Sequence, residues 1–225
     1  MKSREAILPA NSTQARILIV DDHPLVRRGL GQLIADEPDL EVCGEAEDVS
    51  EALRQVNDVS PDLVIVDISL KSGNGVDLIK RIKARDEGVK MLVSSMHDES
   101  LFAQRVLRAG AMGYISKHEA PETVIHAIRQ VLAGGFYLNS QSKDDMLRSV
   151  VSGRQTRAGV SIEDLSDREL EVFELIGHGQ TTRQIADRLH LSIKTIESHR
   201  EKIKSKLNLK NAAELSRHAV QWLME

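Results

Sequence analysis

From residue 16 to residue 135 the chain alternates between short, unbroken apolar runs and longer stretches whose apolar residues recur every three or four positions. The short runs are 16–20, 41–46, 62–66, 90–94 and 112–115; they have the length and aliphatic content of strands buried on both faces. The longer stretches, 24–36, 49–57, 76–86, 100–109 and 121–133, have helical periodicity. Pro24 and Pro121 fall where a first helical turn tolerates proline. Gly110 and the pair Gly134 and Gly135 fall where helices end. Repeated strand–helix units of this kind predict an α/β doubly wound, five-stranded parallel sheet with helices on both faces.

After Gly135 the strand signal stops. Residues 139–164 are polar and rich in small side chains, which reads as a linker with a short helix around 144–151. From Leu165 onward the pattern is helical only, a small all-α domain. Ser166 with Glu169, and Thr181 with Gln184, have the spacing of capping boxes. Ser192 and Asn211 suit the N-caps of a third and a fourth helix. The expected division is a first domain over 16–135, a linker over 136–160 and a helical domain over 161–225.

Four of the apolar runs end on polar residues of different chemistry: Asp21 and Asp22, then Asp67, then Ser94 and Ser95, then Lys117. In a parallel sheet the strand C-termini share one edge, and ligands bind there. Aspartate is common at strand ends for turn reasons alone, but that does not explain the whole set. Three converging carboxylates repel, and one takes up a proton unless a cation lies among them. Mg²⁺, which prefers hard oxygen ligands and keeps several waters, suits such a site.

Composition narrows the class. Only 3 % of the 225 residues are aromatic, so the cores are aliphatic. No apolar run approaches the roughly 18 residues of a membrane span. The polar N-terminus carries no secretory signal, and the single Cys43 excludes an internal disulfide; a cytoplasmic location, without membrane contact, is expected. The net charge of −4 hides an asymmetry: residues 16–138 hold 14 basic and 20 acidic side chains, while 188–210 hold 7 basic and 2 acidic. A basic helix face is ordinary solvated surface in most proteins, yet phosphate neutralisation is also what non-specific nucleic-acid binding requires.

Residues 16–135, with Asp21, Asp22, Asp67, Ser95, Tyr114 and Lys117 in that order, resemble the receiver domain of two-component response regulators. The resemblance implies that Asp67 accepts a phosphoryl group from a histidine kinase. It implies Mg²⁺ held by the Asp22 and Asp67 carboxylates and the Ser69 backbone carbonyl, with Asp21 acting through water. Lys117 would pair with a phosphoryl oxygen, and Ser95 and Tyr114 would form a switch in which the hydroxyl turns to the phosphoryl group and the ring swings inward. Lys71 stands where many receivers have proline, which leaves that turn less fixed. His97, two residues past Ser95, reads as an exposed loop histidine; a place beside the phosphoryl site, tuning its hydrolysis, is the alternative.

The stretch from Leu165 to Leu209 resembles the LuxR-type helix-turn-helix. Ile185, Ala186 and Leu189 give one apolar face, Leu191 closes the turn, and Ile193, Ile196, Ile203 and Leu207 face inward on the next helix. The outward face then suits the DNA major groove. Glu197 and Ser198, with Glu201 or Arg200, are candidates for base reading; Thr182, Lys194, Thr195, His199, Lys202 and Lys206 are candidates for phosphates. The last helix carries Leu215, Ala219, Trp222 and Leu223 on one side; pairing of two copies and core packing both account for them.

Together the two halves imply a NarL/FixJ-type transcriptional response regulator, not a dedicated enzyme, that binds double-stranded DNA and pairs as a homodimer when phosphorylated or on DNA. Two rivals share parts of the pattern. One is a DNA-binding regulator indifferent to phosphorylation. The other is a hydrolase with Asp67 as nucleophile, against which stands Ser69 in place of a second carboxylate.

Overall fold

The computed structural model describes residues 14–70, 73–97, 99–144 and 162–224. Lys71, most of the linker and all but the first residue of the helix expected around 144–151 lie outside the described residues. The first domain is a five-stranded sheet, all parallel, in the order β2-β1-β3-β4-β5. Its strands are β1 (Ala15–Val20), β2 (Leu40–Ala46), β3 (Leu63–Val66), β4 (Lys90–Ser95) and β5 (Gly113–Ser116). The intervening helices are α1 (Pro24–Ala35), α2 (Val49–Val59), α3 (Gly75–Arg85), α4 (Glu99–Ala109) and α5 (Pro121–Leu132).

Strand β3 is apolar and buried throughout because helices cover both of its faces. Ile17, Ile19, Leu63 and Ile65 pack towards α1 and α5, while Leu18, Val20, Val64 and Val66 pack towards α2, α3 and α4. The one irregularity in the pairing is in β1–β2, where the partner of Ile17 is Val42 but that of Leu18 is Gly44, so Cys43 bulges. Pro24 and Pro121 occupy the first turns of α1 and α5, and Gly110 and Gly134 take the positive φ that follows a helix end.

The C-terminal domain holds α6 (Asp167–Gly177), α7 (Thr182–Arg188), α8 (Ile193–Lys206) and α9 (Ala212–Met224). Both capping boxes form: the Ser166 hydroxyl accepts from the Glu169 N–H while Glu169 accepts from the Ser166 N–H, and Thr181 and Gln184 repeat the pattern. Ser192 caps α8, and Asn211 accepts from the Glu214 N–H at the start of α9. Ile185, Ala186, Leu189, Ile196, Ile203 and Leu207 form the core with Leu170, Phe173 and Leu215. Ile193, expected inward, is 48 % exposed. It is the first residue of α8, and the helix buries Ile196 and Ile203 instead. Leu215 and Ala219 are buried, and the Trp222 ring packs 5.3 Å from Phe173, so that side of α9 is core. Val220 and Met224 remain on its outer face. Among the described residues no helix is long and apolar enough to cross a membrane.

Candidate functional site

The parallel topology puts the C-termini of β1, β3 and β5 side by side, with β1 next to β3 and β4 between β3 and β5. The buried carboxylates of Asp21 and Asp67 therefore meet. Lys117 reaches between them, its Nζ 2.7 Å from Asp21 Oδ2 and 2.6 Å from Asp67 Oδ2. Burial pushes the Asp67 carboxyl up to about 6, against the downward pull of the Lys117 ammonium and with the Asp21 charge adding to the rise. The same two carboxylates raise Lys117 despite its burial, so it stays an ammonium.

Asp22 completes the acidic edge. Ligand atoms of Asp21, Asp22, His23 and Asp67 all lie within 4.8 Å of one another. Asp22 Oδ1 is buried and makes no hydrogen bond, although His23 Nδ1 lies 2.6 Å from it. Three carboxylates converging on one edge fit a hard divalent cation. The loop after β3 is drawn tightly over this edge. The Ser69 N–H donates to Asp67 Oδ1 at 3.3 Å, and the Gly75 N–H donates to the Ile68 carbonyl at 2.8 Å. A Cβ on Gly75 would lie 2.0 Å from the Asp67 carbonyl oxygen, so only glycine allows this approach. Gly75 was not singled out by sequence; its requirement arises from a backbone contact that no local pattern signals.

Ser95 is buried at the end of β4, and its Oγ accepts from the His97 N–H at 3.3 Å. The Tyr114 ring is fully buried in the inward position, and its hydroxyl donates to the His97 carbonyl at 2.8 Å. His97 itself is 5 % exposed, which corrects the expectation of an exposed loop histidine. Its imidazole reaches the C-terminal domain as well as the loop after Asp67. Nδ1 meets Glu174 Oε2, and Nε2 lies 2.8 Å from Ser69 Oγ, whose hydroxyl donates to Glu171 Oε1. The signal in the sequence was the presence of Glu171 and Glu174 within the otherwise apolar run of α6.

On α8 the side chains of Lys194, Glu197, Ser198, Glu201 and Lys202 are exposed, and Thr195 and Arg200 are half-buried. Thr182 lies half-buried at the start of α7. These share the open side of the two-helix unit. Two of the candidates for phosphate contact are placed differently. His199 leans inward with Nδ1 buried, and burial together with the nearby Arg168 lowers its pKa. Lys206 is tied down, its Nζ donating to Glu169 Oε2 at 2.7 Å and to the Asp164 carbonyl at 3.1 Å.

Comparison with known proteins gives the same two-part division. Residues 17–129 match the response regulator receiver domain, and residues 163–219 match the bacterial regulatory proteins of the luxR family. The response regulator UvrY of Escherichia coli (strain K12) is 34 % identical over 205 residues, which cover 91 % of this chain and 93 % of UvrY. The structure of RcsB from Salmonella enterica serovar Typhimurium bound to promoter rprA in the presence of phosphomimetic BeF3⁻ superposes with a TM-score of 0.60 at 27 % identity, covering 92 % of this chain and 99 % of that one. A structure of two RcsB dimers bound to two parallel DNAs gives a TM-score of 0.56 at 27 % identity, over 91 % and 97 % of the two chains. With a receiver fold carrying an acidic strand edge and a helix-turn-helix behind it, the chain belongs to the DNA-binding transcriptional response regulators of the NarL/FixJ type.

Proposed function

We propose that Asp67 is the phosphoacceptor, that a histidine kinase's phosphohistidine is the donor, and that the modification sets how the C-terminal domain engages double-stranded DNA. The observation that carries this reading is the Lys117 ammonium held between Asp67 and Asp21 beside the Asp22 carboxylate. Asp67 attacks phosphorus and the histidine nitrogen leaves, giving an aspartyl phosphate. Asp22, Asp67 and the Ser69 carbonyl would hold Mg²⁺, with Asp21 acting through water. Bound there, Mg²⁺ supplies positive charge to the phosphoryl oxygens, which is most of what phosphoryl transfer demands. Lys117 donates to a phosphoryl oxygen once it exchanges one carboxylate for it. The Ser95 hydroxyl turns to the same group; the Tyr114 ring already lies inward, linked to Ser95 through the His97 backbone that both side chains bond.

For DNA, the exposed side chains of α8 support base contacts by Glu197, Ser198 and Glu201 or Arg200, with Thr182, Lys194, Thr195 and Lys202 on phosphates. His199 and Lys206 serve the fold of this domain instead. A homodimer would read two half-sites, an arrangement in keeping with the RcsB dimers on DNA. The receiver boundaries are 16–135 and those of the DNA-binding domain 161–225, and the protein works in the cytoplasm, where its DNA target lies.

Incubation with a small acyl phosphate and Mg²⁺ tests the reading. A hydroxylamine-sensitive mass gain on Asp67, absent from Asp67→Asn and from protein stripped of divalent ions, is expected. An unmodified Asp67 alongside unaltered DNA binding would leave a regulator indifferent to phosphorylation.

A further inference from the structure

The two domains meet across charges that lie inside the protein. Glu171 and Glu174 of α6 are 0 % and 3 % exposed, and both carboxylates find partners on the receiver. His97 bonds Glu174 through Nδ1; Glu171 accepts from the Ser69 hydroxyl, with Asn74 Nδ2 and His97 Nε2 each 3.5 Å away. Arg168, on α6 itself, adds a second cation to Glu171 at 2.6 Å. Around this centre Arg105 donates to the Leu165 and Ile162 carbonyls, and Lys80 donates to Asp167 at 2.9 Å. Burying two carboxylates costs far more than a surface contact returns unless each is paired, and here each is. This seam is a built contact.

Lys80 lies on α3 and Arg105 on α4, but the centre of the seam on the receiver side is formed by loops that border the acidic edge. Ser69 stands two residues after Asp67, and His97 stands two after Ser95. The His97 N–H and carbonyl are bonded to Ser95 Oγ and the Tyr114 hydroxyl. A third tie runs from the turn between α7 and α8, where His190 Nε2 lies 3.4 Å from Asp22 Oδ2. The reading face of α8 takes no part: Lys194, Glu197, Ser198, Glu201 and Lys202 stay exposed with the domains in contact.

We infer that Glu171 and Glu174, closing on His97 and Ser69, form a latch through which the DNA-binding domain restrains the receiver's reacting loops, and that it does so without covering the DNA-reading face. The inference rests on Asp67 as phosphoacceptor. An occupied phosphoryl site and a closed latch then compete for the same loops. By linkage, opening the latch tightens the site for a phosphoryl mimic by the factor with which the mimic opens the latch. The latch thus sets the relative placement of the domains, and with it pairing on DNA, while single-site DNA contact stays available throughout.

Two variants of the full chain test this: the double substitution Glu171→Gln with Glu174→Gln, and separately His97→Gln, which leaves both carboxylates in place. Small-angle scattering reads domain separation, the bound ¹⁹F resonance reads BeF3⁻ affinity with Mg²⁺, and anisotropy reads affinity for a short random duplex. Both variants are expected to show a larger radius of gyration and BeF3⁻ affinity at least about fivefold tighter, with random-duplex affinity within about twofold of the parent. Unchanged scattering and BeF3⁻ affinity in both would overturn the latch. Random-duplex affinity that rises with domain separation would overturn the claim that α8 is uncovered. If the parent takes up no BeF3⁻, the phosphoacceptor reading fails, while scattering still decides whether the seam holds the domains.

Discussion

The Tyr114 hydroxyl donates to the backbone carbonyl of His97 at 2.8 Å. This bond ties the last strand of the sheet to the loop whose side chain is gripped by α6. Tyr114→Phe keeps the ring and deletes the bond, leaving a buried carbonyl without its donor. A loss of about 1–2 kcal/mol in urea unfolding is expected, with faster amide exchange at His97. A variant as protected at His97 as the parent would show that the hydroxyl does not hold this loop.

Gly75 lies against the backbone of Asp67, the proposed phosphoacceptor, and a methyl group on it would sit 2.0 Å from the Asp67 carbonyl oxygen. Gly75→Ala must push the β3–α3 loop and Asp67 apart. Misplacing a reacting group by about 1 Å costs on the order of a hundredfold. Phosphoryl uptake from a small donor should fall by about that factor while circular dichroism stays close to the parent spectrum. Normal uptake would place the close contact outside the reaction.

Lys117 is the one ammonium paired with both Asp21 and Asp67 among the described residues. Lys117→Ala removes the charge that offsets burial at Asp67, so the Asp67 carboxyl rises above its value of about 6 in the metal-free protein. Carboxyl NMR titration reads that rise. Uptake of the phosphoryl group should drop by about 10²-fold or more. Lys117→Arg should not restore it, because the site is closed around a compact ammonium.

In the DNA-binding domain Glu169 both closes the capping box and accepts from Lys206 at 2.7 Å. Burial works to raise its pKa, but Lys206 and the Ser166 bonds outweigh burial and lower it below the ordinary 4.5. A carboxylate lowered in the folded state stabilises that state above its unfolded pKa, and the contribution disappears as pH falls through the folded value. Glu169→Gln keeps an acceptor for the cap and loses the ion pair. It should cost about 1 kcal/mol at pH 7, with the difference from the parent shrinking once pH falls below 4.5 and vanishing below the lower folded value. Trp222 fluorescence, the only indole signal in the chain, follows this unfolding.

Glu197 is exposed on the reading face of α8. A carboxylate there repels phosphate and accepts from cytosine N4–H. Glu197→Ala should relax preference at one C·G pair by about 1–3 kcal/mol and leave random-duplex affinity nearly unchanged. Binding-site selection measures the first and anisotropy the second. Equal losses on every sequence would show that Glu197 reads no base.

The site at the sheet edge was legible because each of its parts is local. An apolar run announces a strand, the polar residue after it announces the strand's end, and parallel connections bring all such ends to one edge. The capping boxes were legible for the same reason, since Ser166 with Glu169 and Thr181 with Gln184 need only three residues of helix to form. By itself, then, the sequence determined the receiver sheet, the helical domain behind it and the residues at the acidic edge. Only the tertiary structure decided what His97, Glu171, Glu174 and Lys206 do. His97 and Glu174 are 77 residues apart, Ser69 and Glu171 are 102 apart, and Lys206 meets Glu169 across 37. A charged side chain on its own reads as solvated surface. Whether it is buried depends on a partner of opposite charge arriving from elsewhere in the chain, and that partner is fixed by packing, not by neighbours in sequence.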